Sequence, residues 1–240
     1  MLTQAMEKTN KMARLAGLLY VTLIPLGIFG MIYVPANLIV ADDMLTTLNR
    51  IIENEMVFRL SIVSALLCQL VSVPLVYLLY KLLKPVNKNY AFLMMIYILI
   101  GAPIAMLNEL NLLAVLLVIN ESDYLAAFNT DQIHSLVSML LQLHELGIQI
   151  ASIFWGLWLF PMGYLVFKSG FLPKVIGLLL IVAGCGYFAD AFISFIFPEF
   201  NIKFSEFLFL GEVLISFWLL IKGVDLEQWQ KVSIENLKRN

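Results

Sequence analysis

Charge is scarce in this chain: 13% of its 240 residues are Asp, Glu, Lys or Arg, while 61% are hydrophobic. A soluble domain carries about 25% charged and about 45–50% apolar residues. With a mean hydropathy of +0.90, the composition excludes an ordinary soluble globule and points to an integral membrane protein. The net charge of −2 singles out no partner, because in such proteins the distribution of charge matters more than its sum. The lipid bilayer is the expected surrounding, and no nucleic-acid partner is expected.

Cysteine and histidine are scarcer still, two of each. Cys68 and Cys185 both fall in apolar runs, where small core residues belong. There is no CxxC, no Cys/His cluster, no HExxH, no GxSxG and no phosphate loop. Zinc ribbons, dithiol redox centres and the common hydrolase signatures are therefore not encoded, and no cofactor is indicated. The opening MLTQAMEKTNKMARLAG places basic residues before an apolar run, as a signal peptide would. The run from Leu15 to Val40 is too long for that and lacks a small-x-small cleavage site, so it reads as a retained first span.

What the chain has in abundance is long apolar stretches. At about 20 residues per crossing, they predict six spans, over roughly 13–40, 57–83, 90–118, 137–167, 174–197 and 205–222. The fold expected is all-α: one domain, a bundle of six transmembrane helices. Twelve of the 15 Lys and Arg fall on one side, before the first span, between spans two and three and spans four and five, and after the sixth. Arg50, Arg59 and Lys203 fall on the other, so both termini are expected in the cytoplasm. The outer loops carry acids, among them Asp42, Asp43, Glu121 and Asp123. In the first outer loop Met44, Leu48, Ile51, Ile52 and Met56 repeat at helical spacing, which predicts an amphipathic connector helix. The C-terminal VDLEQWQKVSIENLKRN sets Val224, Trp229, Val232 and Leu237 against Lys231, Lys238 and Arg239, an interfacial pattern.

The fourth span is unlike the others. Ser135, Ser138, Gln142, Glu145, Gln149 and Ser152 recur at steps of three and four, on one face of a helix. Lipid leaves a carboxylate and two amides without hydrogen bonds, so this face is expected to look into the bundle or a water-filled cavity. Asn108, Glu109, His144, Asp190 and Glu212 also lie within or at the edge of spans. Counting about 1.5 Å per helical residue, Glu109, His144 and Glu145 come near the outer boundary, Asp190 in the outer third and Glu212 deepest. Four carboxylates in the outer half have no Lys or Arg at their depth, and only His144 can supply a positive charge. Like charges in a dry site cannot all ionise, so protons, water or a bound cation must intervene. His144 and Glu145 are adjacent and project about 100° apart on a helix, a poor arrangement for one metal ion. Ser61, Ser64, Cys68 and Ser72 on the second span, and Gly177, Gly184 and Gly186 on the fifth, are the small residues of close helix packing. Prolines at 25, 35, 74, 103 and 161 forecast kinks.

The segments GYLVFKSGFLPKVIGLLLIVAGCGYFAD, over 163–190, and EVLISFWLLIKGV, over 212–224, resemble a bacterial membrane family, domain of unknown function 4386, as does the opening KMARLAGLLYV. The resemblance implies a multi-helix inner-membrane protein, with Asp190 and Glu212 inside its motifs and no assigned reaction. Three functional readings follow from the residues. In the first, an outward-facing acidic cavity binds a small cationic or polar ligand, or transports it with proton coupling. In the second, the chain is a non-transporting accessory, sensing or resistance protein acting through its outer loops and amphipathic helices. The third and least favoured is a metal-dependent membrane enzyme built on His144, Glu145 and Asp190. The ligand-site candidates are Asn108, Glu109, Gln142, His144, Glu145, Gln149, Asp190 and Glu212.

Overall fold

Apolar residues at helical rather than alternating spacing fill the chain, and the computed structural model contains no strand among the residues it describes, 2–41, 43–120, 128–197, 199 and 203–239. Asp42, Glu121 and Asp123 lie outside the described residues. The helices are α1 (Leu2–Gly27), α2 (Val34–Leu38), α3 (Met44–Glu53), α4 (Glu55–Leu83), α5 (Lys88–Asn108), α6 (Leu110–Asn120), α7 (Thr130–Leu157), α8 (Leu159–Ser169), α9 (Lys174–Ile196), α10 (Ser205–Leu208), α11 (Leu210–Ile221) and α12 (Leu226–Arg239). Between α1 and α2 the backbone winds as a π-helix over Ile28–Tyr33, flanked by Pro25 and Pro35. Neither proline donates an N–H to the helical ladder, and the wider winding takes up that irregularity.

Among the described residues, five stretches are long and apolar enough to cross a membrane: Glu7–Leu38, Glu55–Leu83, Lys88–Asn120, Thr130–Ser169 and Lys174–Ile196. They coincide with the first five predicted spans. The sixth differs, because Phe209 divides it into α10 and α11, and α11 has 12 residues. Two of the long stretches are also interrupted, at Glu109 between α5 and α6 and at Trp158 between α7 and α8. Pro161, just inside α8, has no N–H for the Leu157 carbonyl, which accounts for the second interruption.

The chain divides into two compact units. One comprises Leu23–Leu70 and Pro103–Ile148. Its core joins Val34, Ile51, Phe58, Leu116, Val137 and Leu141 with their neighbours. The Asp43 side chain caps α3 by accepting from the Thr46 N–H (2.9 Å) and hydroxyl (2.6 Å), and these bonds hold its carboxyl below the usual carboxylate range. Thr47, Leu48 and Ile51 are the buried face of α3. Ile52 and Met56, expected on that face, are exposed instead. Thr47 takes the place, its hydroxyl accepting from the Val40 N–H at 2.9 Å and reaching the Val40 carbonyl at 3.2 Å. The small residues of α4 meet the π-helical stretch: a Cβ on Gly30 would stand 2.9 Å from the Ser61 carbonyl oxygen, and the Ser64 hydroxyl donates to the Leu26 carbonyl at 2.9 Å.

The other unit comprises Met1–Thr22, Val71–Ala102 and Gln149–Asn240. Here glycines let backbones touch. A Cβ on either Gly163 or Gly177 would stand 2.6 Å from the other's carbonyl oxygen, and Gly156 and Gly184 face each other similarly, at 3.1 and 3.0 Å. The turn from α8 to α9 uses Gly170 at φ 72°, a conformation a Cβ disfavours. The Ser169 hydroxyl accepts from the Leu172 N–H there, and Pro173 precedes the first residue of α9. Trp229 of α12, expected at the lipid surface, donates its indole N–H to the Leu82 carbonyl at the end of α4 (2.9 Å), and Asn236 donates to the Pro85 carbonyl (2.9 Å).

Candidate functional site

Glu109 occupies the break between α5 and α6. Its N–H turns to the Met106 carbonyl at 3.3 Å, one residue short of the α-helical partner, Ala105. Its side chain is 4% exposed. One carboxyl oxygen, Oε1, stands 3.3 Å from His144 Nε2 on α7. The other, Oε2, is buried and has no hydrogen-bond partner among the described residues. Asn108, also buried, donates from Nδ2 to the His144 backbone carbonyl at 2.8 Å. Asn111, one turn along, donates to the carbonyl and the side-chain oxygen of Asn108 at 3.1 and 3.0 Å. This close approach of α5 to α7 requires a residue without Cβ at 147, since a Cβ on Gly147 would collide with the Asn108 amide. Asn108, Glu109 and His144 are thus brought together as one polar cluster. Asn111 and Gly147 belong to it and were missed by sequence reasoning, although both stand at helical spacing, three residues from Asn108 and His144.

The polar stripe of α7 does not stay inside the helices along its length. Val137 and Leu141 take the buried side, leaving Ser135, Gln142 and Glu145 exposed and Ser138 half-buried. Met44, His134, Ser135, Ser138, Met139 and Gln142 line an open groove of about 370 Å³. Glu145, one residue from His144, points away from it as the 100° step requires. Among the described residues no three His, Cys, Asp or Glu come together as ligands for a metal ion.

A family model described as a domain of unknown function, DUF4386, matches residues 15–223. The chain belongs to this family. An uncharacterised protein from the archaeon Archaeoglobus fulgidus is 34% identical over 173 residues, which cover 70% of this chain and 86% of the relative. No solved structure matches. All eight candidate side chains lie inside the DUF4386 match.

In the second unit of this DUF4386 chain, the remaining candidates each have neutral hydrogen-bond donors. Asp190 Oδ1 accepts from the Phe204 N–H (2.7 Å) and Oδ2 from the Ser205 N–H (2.8 Å), so this carboxylate pins the start of α10. Glu212, in the first turn of α11, accepts from the Tyr20 hydroxyl at 2.8 Å and is also hydrogen-bonded by Tyr187. Tyr20 is held by burial and by its ring contact with Trp158, 5.8 Å between centroids. Gln149 Oε1 accepts from the Ser194 hydroxyl at 2.8 Å. Both tyrosines were missed by sequence reasoning. A phenol inside an apolar run is the signal, because a buried O–H needs an acceptor. The chemistry differs from residue to residue: Asp190 has both oxygens engaged by backbone, Glu212 is held by phenols, and Glu109 alone of these three keeps a buried oxygen unpartnered among the described residues.

Proposed function

We infer that the chain is a six-span protein of the cell's inner membrane, one transmembrane domain with cytoplasmic termini, that binds a small cationic or polar ligand at an acidic, outward-facing site and couples occupancy to protonation. Transport is the process such coupling serves. The observation that carries this reading is Glu109: a buried side chain facing an imidazole, with one carboxyl oxygen unpartnered among the described residues. A discontinuous helix is a recurrent way of building a polar site within a membrane.

The six-span topology draws on the five long helices together with α10 and α11. Those two occupy 205–221, about 25 Å at 1.5 Å per residue, close to the hydrocarbon thickness of about 30 Å. The orientation rests on the Lys/Arg bias. It gives α3 the role of an outer connector and α12 that of a cytoplasmic interfacial helix. Counted from Lys88, Glu109 then stands about 31 Å along its span, at the outer boundary and within reach of the outside solution.

The test is equilibrium binding. Calorimetry on the purified full chain in detergent, run with small amines, alkali cations and neutral polar solutes at two pH values, should show one class of ligand bound in a pH-dependent manner by the parent and lost in Glu109→Gln. Equal binding by parent and variant would remove Glu109 from the site.

A second reading, an accessory protein, draws on the open groove flanked by Met44 and Met139. Ile51 is fully buried and Trp229 is hydrogen-bonded to α4, so the surfaces available for contact on α3 are Leu45 and Ile52. On that reading, Ile52→Lys harms function more than loss of Glu109 does.

A further inference from the structure

We propose that the open groove between α3 and α7 takes one soft monovalent metal ion, Cu(I) or Ag(I), on the sulfurs of Met44 and Met139 and the imidazole of His134.

The groove is separate from the polar cluster at the break between α5 and α6. Met44, His134, Ser135, Ser138, Met139 and Gln142 line its volume of about 370 Å³, and neither Glu109 nor His144 does. An ion held here is therefore independent of the Glu109 reading.

Five of the six lining residues come from the N-terminal half of α7, where steps of three and four keep them on one side of the helix. His134 and Met139 lie about 7.5 Å apart along its axis. Met44, the first residue of α3, supplies the other wall. The Asp43 cap fixes that first turn through the Thr46 N–H, and Met44 packs in part on the core of its unit. Met139 is 51% exposed, whereas Val137 and Leu141 on either side of it are buried, so its thioether is left out of the core and in the groove.

Hydrogen bonds sort the donors that remain. The Ser135 hydroxyl donates to the Asp131 carbonyl at 2.9 Å, and the Gln142 amide donates to the Ser138 hydroxyl at 3.2 Å. The His134 ring has neither a hydrogen bond nor an ion pair among the described residues. The oxygen-bearing side chains are thus engaged along their own helix, while the imidazole and the two sulfurs are open to a ligand.

Charge and softness decide which ion fits. Among the described residues no carboxylate lines the groove, so the donor set is neutral. Zinc, calcium or magnesium would meet none of the carboxylates or thiolates that such divalent ions favour. An alkali cation prefers hard oxygen donors. Thioethers are soft and select Cu(I), and imidazole suits copper. Ag(I) has the same charge and softness. The three rotatable bonds of each methionine let its sulfur swing onto the ion. No electron is transferred: the ion enters and leaves in the same oxidation state.

The experiment uses the full chain in detergent with Cys68 and Cys185 replaced by alanine, because thiols bind the same ions. Cu(I), kept reduced by ascorbate under nitrogen, is titrated against the coloured chelator bicinchoninate, with Ag(I), zinc and sodium as competitors. The expected result is one ion per chain, displaced by Ag(I) and not by zinc or sodium. X-ray absorption at the copper edge should show sulfur and nitrogen neighbours. Leucine conserves the volume of methionine, so Met44→Leu combined with Met139→Leu should fold as the parent does and lose the ion. His134→Gln should bind it more weakly and lack the imidazole signature, and Glu109→Gln should bind it as the parent does. If the leucine pair fails to fold, Met139→Leu alone serves, with weaker binding and fewer sulfur neighbours expected. No ion bound, an ion held equally by the folded leucine variants, coordination without sulfur, displacement by zinc, or loss of the ion in Glu109→Gln overturns the assignment.

Discussion

At Asn108 and Glu109, adjacent residues at one helical break, the amide is satisfied and the carboxyl is not. Asn108 gives its N–H to the His144 carbonyl and accepts from Asn111, while Glu109 keeps Oε2 unpartnered among the described residues. The amides fix the geometry in which the carboxyl is held. That division makes Gly147 a positioning residue. Gly147→Ala places a methyl group in the volume of the Asn108 amide, and overpacking of this kind destabilises by about 1–3 kcal/mol. Reversible unfolding in a mixed detergent series measures the loss. Asn108→Ala on its own also destabilises, by removing the bond to His144, but it vacates the space the methyl group needs. The double variant should therefore lose less than the sum of the two single losses. Strict additivity would mean that Asn108 and Gly147 do not share that space.

At the scale of elements, the helices were far more legible in the sequence than their interruptions. Five long apolar runs announce themselves because lipid demands about 20 apolar residues in a row. The glycines at 163, 177, 156 and 184 mark where backbones meet, and three of these four fall in the motifs that carry the family resemblance. The breaks are harder to see. Pro161 explains the one at Trp158, but Pro103 lies six residues before Glu109, too far to cause the break there by its missing N–H. Phe209 carries no breaking signal of its own; α10 is instead fixed by Asp190, fourteen residues upstream of Phe204, and only tertiary structure brings the two together. The same limitation governs the faces of helices. Period put Gln142 and Glu145 on a face expected to look into the bundle or a water-filled cavity; Val137 and Leu141 of the same helix take the core, while Gln142 lines the open groove and Glu145 is exposed. Period likewise grouped Ile52 with Ile51, although one helical step separates them by about 100°.

For the whole molecule, the sequence marked eight polar candidates, and hydrogen bonding separates them into different tasks. Asp190 holds a helix start, Glu212 is bound by two tyrosines, Gln149 ties α7 to α9, and Glu109 keeps one oxygen unpartnered among the described residues. Composition showed that such groups exist but not which donors they would meet, since Tyr20 and Glu212 lie 192 residues apart. The proposed orientation is open to direct test in intact cells, after Cys68 and Cys185 are replaced by alanine. An impermeant maleimide should label Arg50→Cys or Lys203→Cys and spare Lys84→Cys and Lys231→Cys; the reverse pattern would put the acidic side in the cytoplasm. The central claim, that the Glu109 carboxyl is the group that takes the ligand, is read most directly by infrared difference spectroscopy in the carboxyl and carboxylate region, with and without sodium or methylammonium. The account predicts a difference signal in the parent that survives in Glu212→Gln and vanishes in Glu109→Gln. A signal unchanged in Glu109→Gln, or lost only in Glu212→Gln, would contradict it and move the site to the tyrosine-bound carboxyl.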